Sequence, residues 1–205
     1  MPNKAARLLR KPVAKAEGLE LGIVKKGSRG LGKIIDLPQS KHLIDGVQVM
    51  ALRLHPDDRG FFEEIFRWGQ GLARDLGSLG SNNKLGSNGS LQVSAALSYS
   101  GTVKAIHYHL HQTDLWTPLL GQFQVFLYDL RIKSPTFGKT NTLYVGPLRP
   151  WQILIPPGVG HGYKIVGPDA GLLVYATDRF YDPTDEGRIV WNDPDINYDW
   201  ETQKK

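Results

Sequence analysis

The feature that most restricts the fold is a run of short segments rich in branched and aromatic residues between residues 91 and 177. Gly, Pro and Ser residues at 121, 134–135, 146–147, 156–158 and 167–168 separate these segments. Many short strands bounded by turn residues indicate an antiparallel sandwich or barrel, because an α/β fold needs helical segments between its strands. The predicted strands cover residues 91–97, 103–111, 115–120, 123–130, 142–145, 152–155, 163–166 and 172–177.

The chain before this region contributes a few more predicted elements. Residues 47–54 have the apolar and branched content of a strand, residues 57–60 have the composition of a turn, and residues 61–68 continue as an extended segment. A short helix is predicted at about 70–76. The Gly-, Ser- and Asn-rich residues 76–91 are predicted to form a loop.

The positive charge is concentrated at the start of the chain. The 205 residues carry a formal net charge of +5, but residues 1–41 alone carry +7. The body of the protein is therefore slightly acidic, which argues against a nucleic-acid-binding domain. We expect residues 41–205 to form one domain, and residues 1–40 to be a basic extension made of a short helix and loops. A solvated or subunit-packed extension is favoured over an arm that contacts nucleic acid.

Composition also excludes several kinds of site. The chain has no cysteine, which rules out disulfides, thiolate nucleophiles and Cys-ligated metals. Any metal must therefore bind to His and carboxylate side chains. No apolar stretch reaches the length of a membrane span, so we expect a cytoplasmic protein with no membrane partner.

Three histidines alternate along one predicted strand. His107, His109 and His111 share a face because side chains alternate along a strand, while Tyr108 and Leu110 point the other way. Imidazoles that point into a barrel need hydrogen-bond partners, a metal or a ligand. His111 is expected near the strand end and exposed, with no direct role in a site.

The spacing around these histidines resembles the cupin superfamily. Gly101, His107, His109, Asp114 and Gly121 follow the first cupin motif, with Asp in place of the usual Glu. Pro156, Gly158 and His161 resemble the second motif. The resemblance implies a jelly roll, a double-stranded β-helix, in which His107, His109, Asp114 and His161 converge as ligands for Fe, Mn, Ni or Zn. The alternative for Asp114 is a cap on the turn between two strands.

Within the cupins, residues 47–200 resemble the dTDP-4-dehydrorhamnose 3,5-epimerase family. These enzymes invert carbons beside the ketone of a nucleotide-linked 4-keto-6-deoxyhexose, in deoxysugar or cell-surface polysaccharide biosynthesis. The residues that carry the resemblance are Asp58-Arg59-Gly60-Phe61-Phe62-Glu63, Ser98-Tyr99-Ser100, Val103 to Tyr108, Asp129-Leu130-Arg131, Ser134 to Gly138, Ile155 to Gly158, His161-Gly162-Tyr163, Tyr175, Tyr181 and Trp191-Asn192-Asp193-Pro194.

The family resemblance implies a role for each matching residue. His107 matches the base, and Tyr175 or Tyr181 matches the tyrosine acid, with the alignment favouring Tyr175. His161 matches a second histidine of the active site, and Lys104 stands where the family has Arg. The resemblance also implies that four residues bind the substrate, namely Arg59, Phe62, Glu63 and Arg131. The Arg59 guanidinium would face the phosphates. Alone, Arg131 could simply pair with a carboxylate at a strand end.

Two substitutions change the chemistry that the resemblance implies. The family has Gln at His109 and a lysine that stabilises the enolate at Asp114. Together these changes restore a metal-ligand set that the cofactor-free epimerases lack. The family's aspartate that orients the base is expected beyond Trp200, where this sequence ends at Lys205.

Three functions follow from this combination. The first is an epimerase or isomerase in which a divalent metal replaces the lysine. The second is a metal-dependent enzyme of other chemistry, such as an oxygenase. The third is a sugar-binding cupin without catalysis. The resemblance further implies a homodimer in which strands exchange between subunits, with a nucleotide-linked sugar as ligand.

Overall fold

The computed structural model describes residues 6–8, 18–74, 76 and 91–201. Apart from one 3-10 helix, Gly71–Arg74, the regular elements in these ranges are strands. The strands are Ala6–Leu8 (β1), Gly22–Val24 (β2), Lys33–Ile34 (β3), Gln48–Ala51 (β4), Leu54–Asp57 (β5), Gly60–Glu63 (β6), Gln92–Ser98 (β7), Val103–His109 (β8), Asp114–Leu120 (β9), Phe123–Asp129 (β10), Thr140–Val145 (β11), Trp151–Ile155 (β12), Val159–Ile165 (β13), Gly171–Thr177 (β14) and Glu186–Arg188 (β15).

The strands form two main sheets. The six-stranded sheet has the order β15-β8-β13-β10-β11-β3, and the five-stranded sheet has the order β4-β12-β9-β14-β7. Neighbours are antiparallel except for β11 and β3, which run parallel. From β7 to β14 the chain passes repeatedly from one sheet to the other. This is the jelly roll that the cupin motifs predicted.

The main core lies between the two sheets. Phe123, Val125 and Leu127 of β10 pack there, together with Trp116 and Ile153 from the facing sheet. This alternation has period two, as a strand requires. The predicted segments at 91–97, 115–120, 123–130, 152–155 and 172–177 all correspond to observed strands, with shifts of one residue at their ends.

The outer face of the six-stranded sheet is also buried. Phe126 and Tyr128 of β10 point away from the main core and form a second apolar cluster. Segments from both ends of the chain cover this cluster. Their buried side chains are Leu21, Ile23, Leu31, Ile189, Ile196, Tyr198 and Trp200. As a result, β10 is buried along its whole length.

The prediction of a short helix in the first 40 residues is wrong for the part that the structure describes. Ala6–Leu8 is a strand that pairs with Gly22–Val24, and Lys33–Ile34 joins the edge of the six-stranded sheet. Backbone pairing with remote segments outweighs the weak local helix preference here. The division at residue 40 stays a prediction, and Ile35 belongs to the main core.

The remaining upstream predictions have mixed outcomes. The predicted turn at 57–60 joins β5 and β6 into a hairpin, and the predicted helix at 70–76 contains the 3-10 helix. Most of the predicted loop, residues 77–90, lies outside the described residues, as do residues 1–5 and 9–17 of the predicted extension. Within the described ranges, no helix is long and apolar enough to cross a membrane.

A buried ion pair fixes the end of β10. The Asp129 carboxylate is fully buried and accepts hydrogen bonds from Arg131 Nε at 2.8 Å and Nη2 at 3.0 Å. The hydroxyl groups of Ser134 and Thr136 donate to the same carboxylate. Burial by itself raises the pKa of Asp129, but these hydrogen bonds more than offset it and hold the pKa below its ordinary value.

Replacing this carboxylate should destabilise the protein in a pH-dependent way. We expect Asp129→Asn to lower the free energy of unfolding by about 3 kcal/mol at pH 7, because it leaves the buried Arg131 guanidinium without its counter-ion. A carboxyl with a lowered folded-state pKa stabilises the fold above its unfolded-state pKa. The difference between the two proteins should therefore shrink as the pH falls below about 4. Urea unfolding from pH 3 to 7 measures both effects.

The exposed Asp58, in the turn of the β5–β6 hairpin, offers a control for this measurement. Asp58→Asn should change the free energy of unfolding by less than about 0.5 kcal/mol at every pH. Equal effects of the two substitutions would contradict the role assigned to the Asp129 cluster.

Candidate active site

A pocket of about 240 Å³ opens between the two sheets. The alternation along the second half of β8 determines its chemistry, because Ile106 and Tyr108 pack in the outer cluster while His107 and His109 face the inside. On the neighbouring strand β13, His161 lies directly opposite His107 in the register. The sequence-predicted histidines therefore meet in one pocket. His111 follows the end of β8 and is exposed, as expected.

Three buried side chains at the base of the pocket bring potential metal ligands together. Nε2 of His161 lies 3.4 Å from Oδ2 of Asp114, and Nε2 of His109 lies 4.0 Å from the same oxygen. The two imidazole rings stack with centroids 5.6 Å apart. One nitrogen or oxygen atom from each of the three residues lies within 4.8 Å of the other two. Such a set of His and carboxylate donors suits a divalent metal.

Each of these imidazoles turns its other nitrogen toward an acceptor. Nδ1 of His161 lies 3.0 Å from the carbonyl oxygen of Val159, to which it can donate. Nδ1 of His109 lies 3.5 Å from the Asp185 carboxylate, slightly longer than a good hydrogen bond. A proton on Nδ1 leaves the lone pair on Nε2, which is the form that ligates a metal.

Asp114 is held from two further sides. Its carboxylate accepts hydrogen bonds from Gln112 Nε2 at 2.7 Å and from the indole Nε1 of Trp116 at 3.2 Å. These donors are side chains rather than the backbone amides that a turn cap would bind. The hydrogen bonds of Asp114 therefore differ from those of a turn cap, and its role as a metal ligand stays a prediction.

Asp185 supports the turn that connects β8 to β9. Its carboxylate accepts the backbone N–H groups of Leu110, His111 and Gln112 at 2.9–3.2 Å. Burial raises its pKa, but the interactions with His109 and these amides outweigh burial and lower it. Asp185 thus connects the turn to His109.

His107 lies apart from the His109, Asp114 and His161 group. Its side chain is 36% exposed to the pocket, and Nδ1 lies 3.9 Å from Oε2 of Glu186. Among the described residues, the group with metal-ligand spacing contains three members and not the four that the motif suggested. Desolvation lowers the pKa of His107, so its ring is neutral near pH 7.

The other two imidazoles have different electrostatic environments. Burial lowers the pKa of His161 to about 4. Burial also acts to lower the pKa of His109, but the carboxylates of Asp185 and Asp114 outweigh it and raise the pKa. The pocket therefore combines a neutral, partly exposed imidazole with a deeper pair that faces carboxylates.

The remaining catalytic candidates also line the pocket. Lys104 comes from β8 and Tyr175 from β14, in the opposite sheet. Tyr175 packs against the main core and is half-buried. Tyr181 follows β14, is 58% exposed at the rim, and its backbone N–H donates to the Gln92 side chain.

The four predicted substrate-binding residues lie elsewhere in the chain. None of the described residues that line the pocket comes from the β5–β6 hairpin, which contains Arg59, Phe62 and Glu63. The Arg59 guanidinium is 83% exposed and pairs with Asp57, and Phe62 is 67% exposed. Arg131 is not among the residues that line the pocket, and its guanidinium is bound to Asp129. This is the pairing with a carboxylate at a strand end that the sequence offered as the alternative.

Sequence reasoning missed several residues of the site. Glu186 lines the pocket, Asp185 supports it, and Gln112 and Trp116 hold Asp114. Only Gln112 and Trp116 had a usable signal, since both are two residues from the predicted ligand. Asp185 lies 75 positions from Leu110 along the chain, and no motif connected them.

With this geometry in view, comparison with known proteins decides the family. The family model for dTDP-4-dehydrorhamnose 3,5-epimerase matches residues 41–205. The chain belongs to this family. The spore coat polysaccharide biosynthesis protein SpsL of Bacillus subtilis (strain 168) is 42% identical over 163 residues, which is 78% of this chain and 99% of SpsL.

Two further members of the family have lower identity to this chain. A dTDP-4-dehydrorhamnose 3,5-epimerase of Pseudomonas aeruginosa is 30% identical over 165 residues, covering 78% of this chain and 84% of that protein. The crystal structure of the 3,5-epimerase RmlC of Legionella pneumophila, in complex with dTDP-4-keto-L-rhamnose, has a TM-score of 0.63 and 26% identity. It matches over 79% of this chain and 82% of that one.

Proposed function

We propose that this protein epimerises a nucleotide-linked 4-keto-6-deoxyhexose by exchanging a proton on a carbon beside the ketone. The observation that carries this proposal is the position of His107 and Tyr175 on opposite walls of the pocket. His107 belongs to the six-stranded sheet and Tyr175 to the five-stranded sheet. Inversion requires a base on one face of the sugar ring and an acid on the other.

The relatives support the class of substrate and pathway. The Legionella structure contains dTDP-4-keto-L-rhamnose, and the Bacillus relative is named for spore coat polysaccharide biosynthesis. We therefore propose a dTDP-linked sugar as substrate, and a place in deoxysugar or cell-surface polysaccharide biosynthesis.

The proposed reaction begins at His107. Its neutral imidazole takes the proton from the carbon beside the ketone, and the electron pair of the C–H bond moves to form an enolate. The Tyr175 hydroxyl then donates a proton to the same carbon from the opposite face, while the carbonyl re-forms. Solvent takes the proton from His107 and returns one to Tyr175, so the protein is unchanged after each turnover. Tyr181, at the rim, is the alternative acid.

The enolate oxygen needs a positive group nearby, because stabilising developing charge is a large part of such catalysis. Lys104 is a cationic side chain that lines the pocket. The family's enolate-stabilising lysine is replaced by Asp114, whose charge is of the opposite sign. The chain therefore needs an electrophile in place of the family's lysine.

We further propose that His109, Asp114 and His161 hold a divalent metal ion. Nε2 of His161 and Nε2 of His109 lie 3.4 and 4.0 Å from the same oxygen of Asp114, and a divalent ion between the three groups would bind all of these donor atoms. The low pKa of His161 keeps it in the neutral form that binds metal. Fe, Mn, Ni and Zn are compatible with this donor set. When bound, such an ion supplies a Lewis acid.

We also propose a homodimer. Val93 and Leu97 of β7 are 57% and 60% exposed, and β7 forms the edge of the five-stranded sheet. An exposed apolar edge strand is a surface that a second copy can cover. Arg59 and Phe62 are exposed on the hairpin and do not line the pocket of their own chain. Pairing of two copies would allow them to contribute to the pocket of the partner.

Deuterium exchange tests the proposed reaction directly. With dTDP-4-keto-6-deoxyglucose in deuterated water, we expect the protein to replace the protons beside the ketone, as followed by proton NMR. His107→Asn should lower the exchange rate by about 10²–10⁴-fold, since general-base catalysis contributes that much. dTDP binding should change by less than about threefold, because His107 acts on the sugar ring.

The exposed His111 is a matched control, and His111→Asn should retain the full exchange rate. Exchange that survives His107→Asn would contradict the role of His107 as base. Binding of the nucleotide sugar with no exchange in the unchanged protein would instead favour a non-catalytic sugar-binding function.

Metal analysis tests the three-residue set. We expect the purified protein to contain close to one divalent ion per chain by mass spectrometry, and Asp114→Asn to lose most of it. His107→Asn should retain the ion, because His107 lies outside the ligand group. Loss of α-proton exchange on chelation would connect the ion to the enolate. An ion bound without any exchange would favour a different metal-dependent reaction, and metal-free protein would contradict the site.

Light scattering tests the homodimer. The unchanged protein should have twice the mass of one chain, and Leu97→Glu should shift it toward the monomer by placing a charge in the apolar contact. Leu148 is 91% exposed in the turn between β11 and β12, and Leu148→Glu is the control that should remain dimeric. A monomeric parent protein would contradict the proposal.

A further inference from the structure

The carboxylate of Glu186 lies beside the proposed base, and this contact suggests a function for it. Oε2 is 3.9 Å from Nδ1 of His107, and the Glu186 side chain is only 11% exposed. We infer that Glu186 is a positioning residue, which holds the proton of His107 on Nδ1 and leaves the Nε2 lone pair for the substrate. The inference rests on the proposed function, in which His107 is the base.

Strand pairing puts Glu186 on the correct face. Strand β15 runs antiparallel to β8, with Glu186 opposite His109 and Arg188 opposite His107. Residues directly opposite in a sheet point to the same side. Glu186 therefore shares the inner face with both histidines and is a diagonal neighbour of His107.

A second contact orients the carboxylate. Nε of Arg188 donates to Oε1 of Glu186 at 2.5 Å, which leaves Oε2 on the side of His107. The Arg188 side chain is 69% exposed, so its charge is solvated while the carboxylate is not.

The other acidic groups near the pocket are already engaged. Asp114 and Glu186 are the acidic residues among the described ones that line it, and Asp114 is held by Gln112 and Trp116. Asp185 accepts three backbone amides in the turn after β8. Glu186 is therefore the carboxylate available to His107.

The chemical consequence follows from the two nitrogens of imidazole. The hydrogen bond that one nitrogen makes determines which of the two carries the proton in the neutral ring. A carboxylate at Nδ1 selects the form with a basic Nε2. The distance of 3.9 Å has to shorten for this, as catalytic contacts often do once substrate is bound.

Two measurements on Glu186→Gln test the inference. In protein labelled with ¹⁵N-histidine, at one pH where His107 is neutral, its signals should show the proton on Nδ1. The variant should lose this preference, with His107→Asn used to assign the signals. In the exchange assay, kcat should fall about 10–100-fold while KM changes less than about twofold, as for other residues that orient an active histidine.

Glu201→Gln is the matched control. This carboxylate is 72% exposed and pairs with Lys164, so its loss should leave kcat and the His107 signals unchanged. Should Glu186→Gln fail to fold, Glu186→Asp keeps the charge and should retain the Nδ1 proton with a partial loss of kcat.

The failure of this inference can be distinguished from failure of the proposed function. If Glu186→Gln leaves both the His107 signals and kcat unchanged, Glu186 does not position His107. If the unchanged protein catalyses no exchange, the proposed function fails, and the ¹⁵N signals alone then decide whether Glu186 selects the form of the ring.

Discussion

Burial of the six-stranded sheet on both faces is the constraint on which the site depends. Ile106 and Tyr108 of β8 pack under the terminal segments, so the residues between them and after them must point inward. A shift of β8 by one residue would move the imidazoles into the apolar outer cluster and the apolar side chains into the pocket. The packing that stabilises the outer face therefore also directs His107 and His109 into the pocket.

The same sheet explains why three histidines in one pocket can differ chemically. His161 is fully enclosed beside β8 and loses its charge, while His109 lies between two carboxylates that favour the charged form. His107 stands closer to solvent, with one carboxylate at its side. Three imidazoles in one cavity can differ in pKa because neighbouring strands give each ring a separate set of partners.

Local patterns in the sequence predicted the parts of the structure that depend on neighbours along the chain. Branched and aromatic content with turn residues predicted the strands from β7 to β14, although β13 begins at Val159 and not at Tyr163. The cupin resemblance implied that His107, His109 and Asp114 converge with His161, and the structure groups His109 and Asp114 with His161 while His107 lies apart. Pairings between remote segments left no such pattern. The two-residue strand Lys33–Ile34 gains its partner from β11, and Glu186 reaches His107 only because β15 adds to the edge of the sheet. For Arg131 the family resemblance suggested a substrate contact, whereas in the structure its guanidinium pairs with the buried Asp129 carboxylate.

The segment before residue 41 is outside the family match, yet its described residues help to cover the outer face of the six-stranded sheet. Leu21, Ile23 and Leu31 belong to the outer apolar cluster, where they cover Phe126 and Tyr128 together with the C-terminal Tyr198 and Trp200. The outer apolar cluster therefore extends beyond the boundary of the shared family sequence. Without Leu21, Ile23 and Leu31, the apolar side chains of Phe126 and Tyr128 would lose part of the cover that keeps them from water.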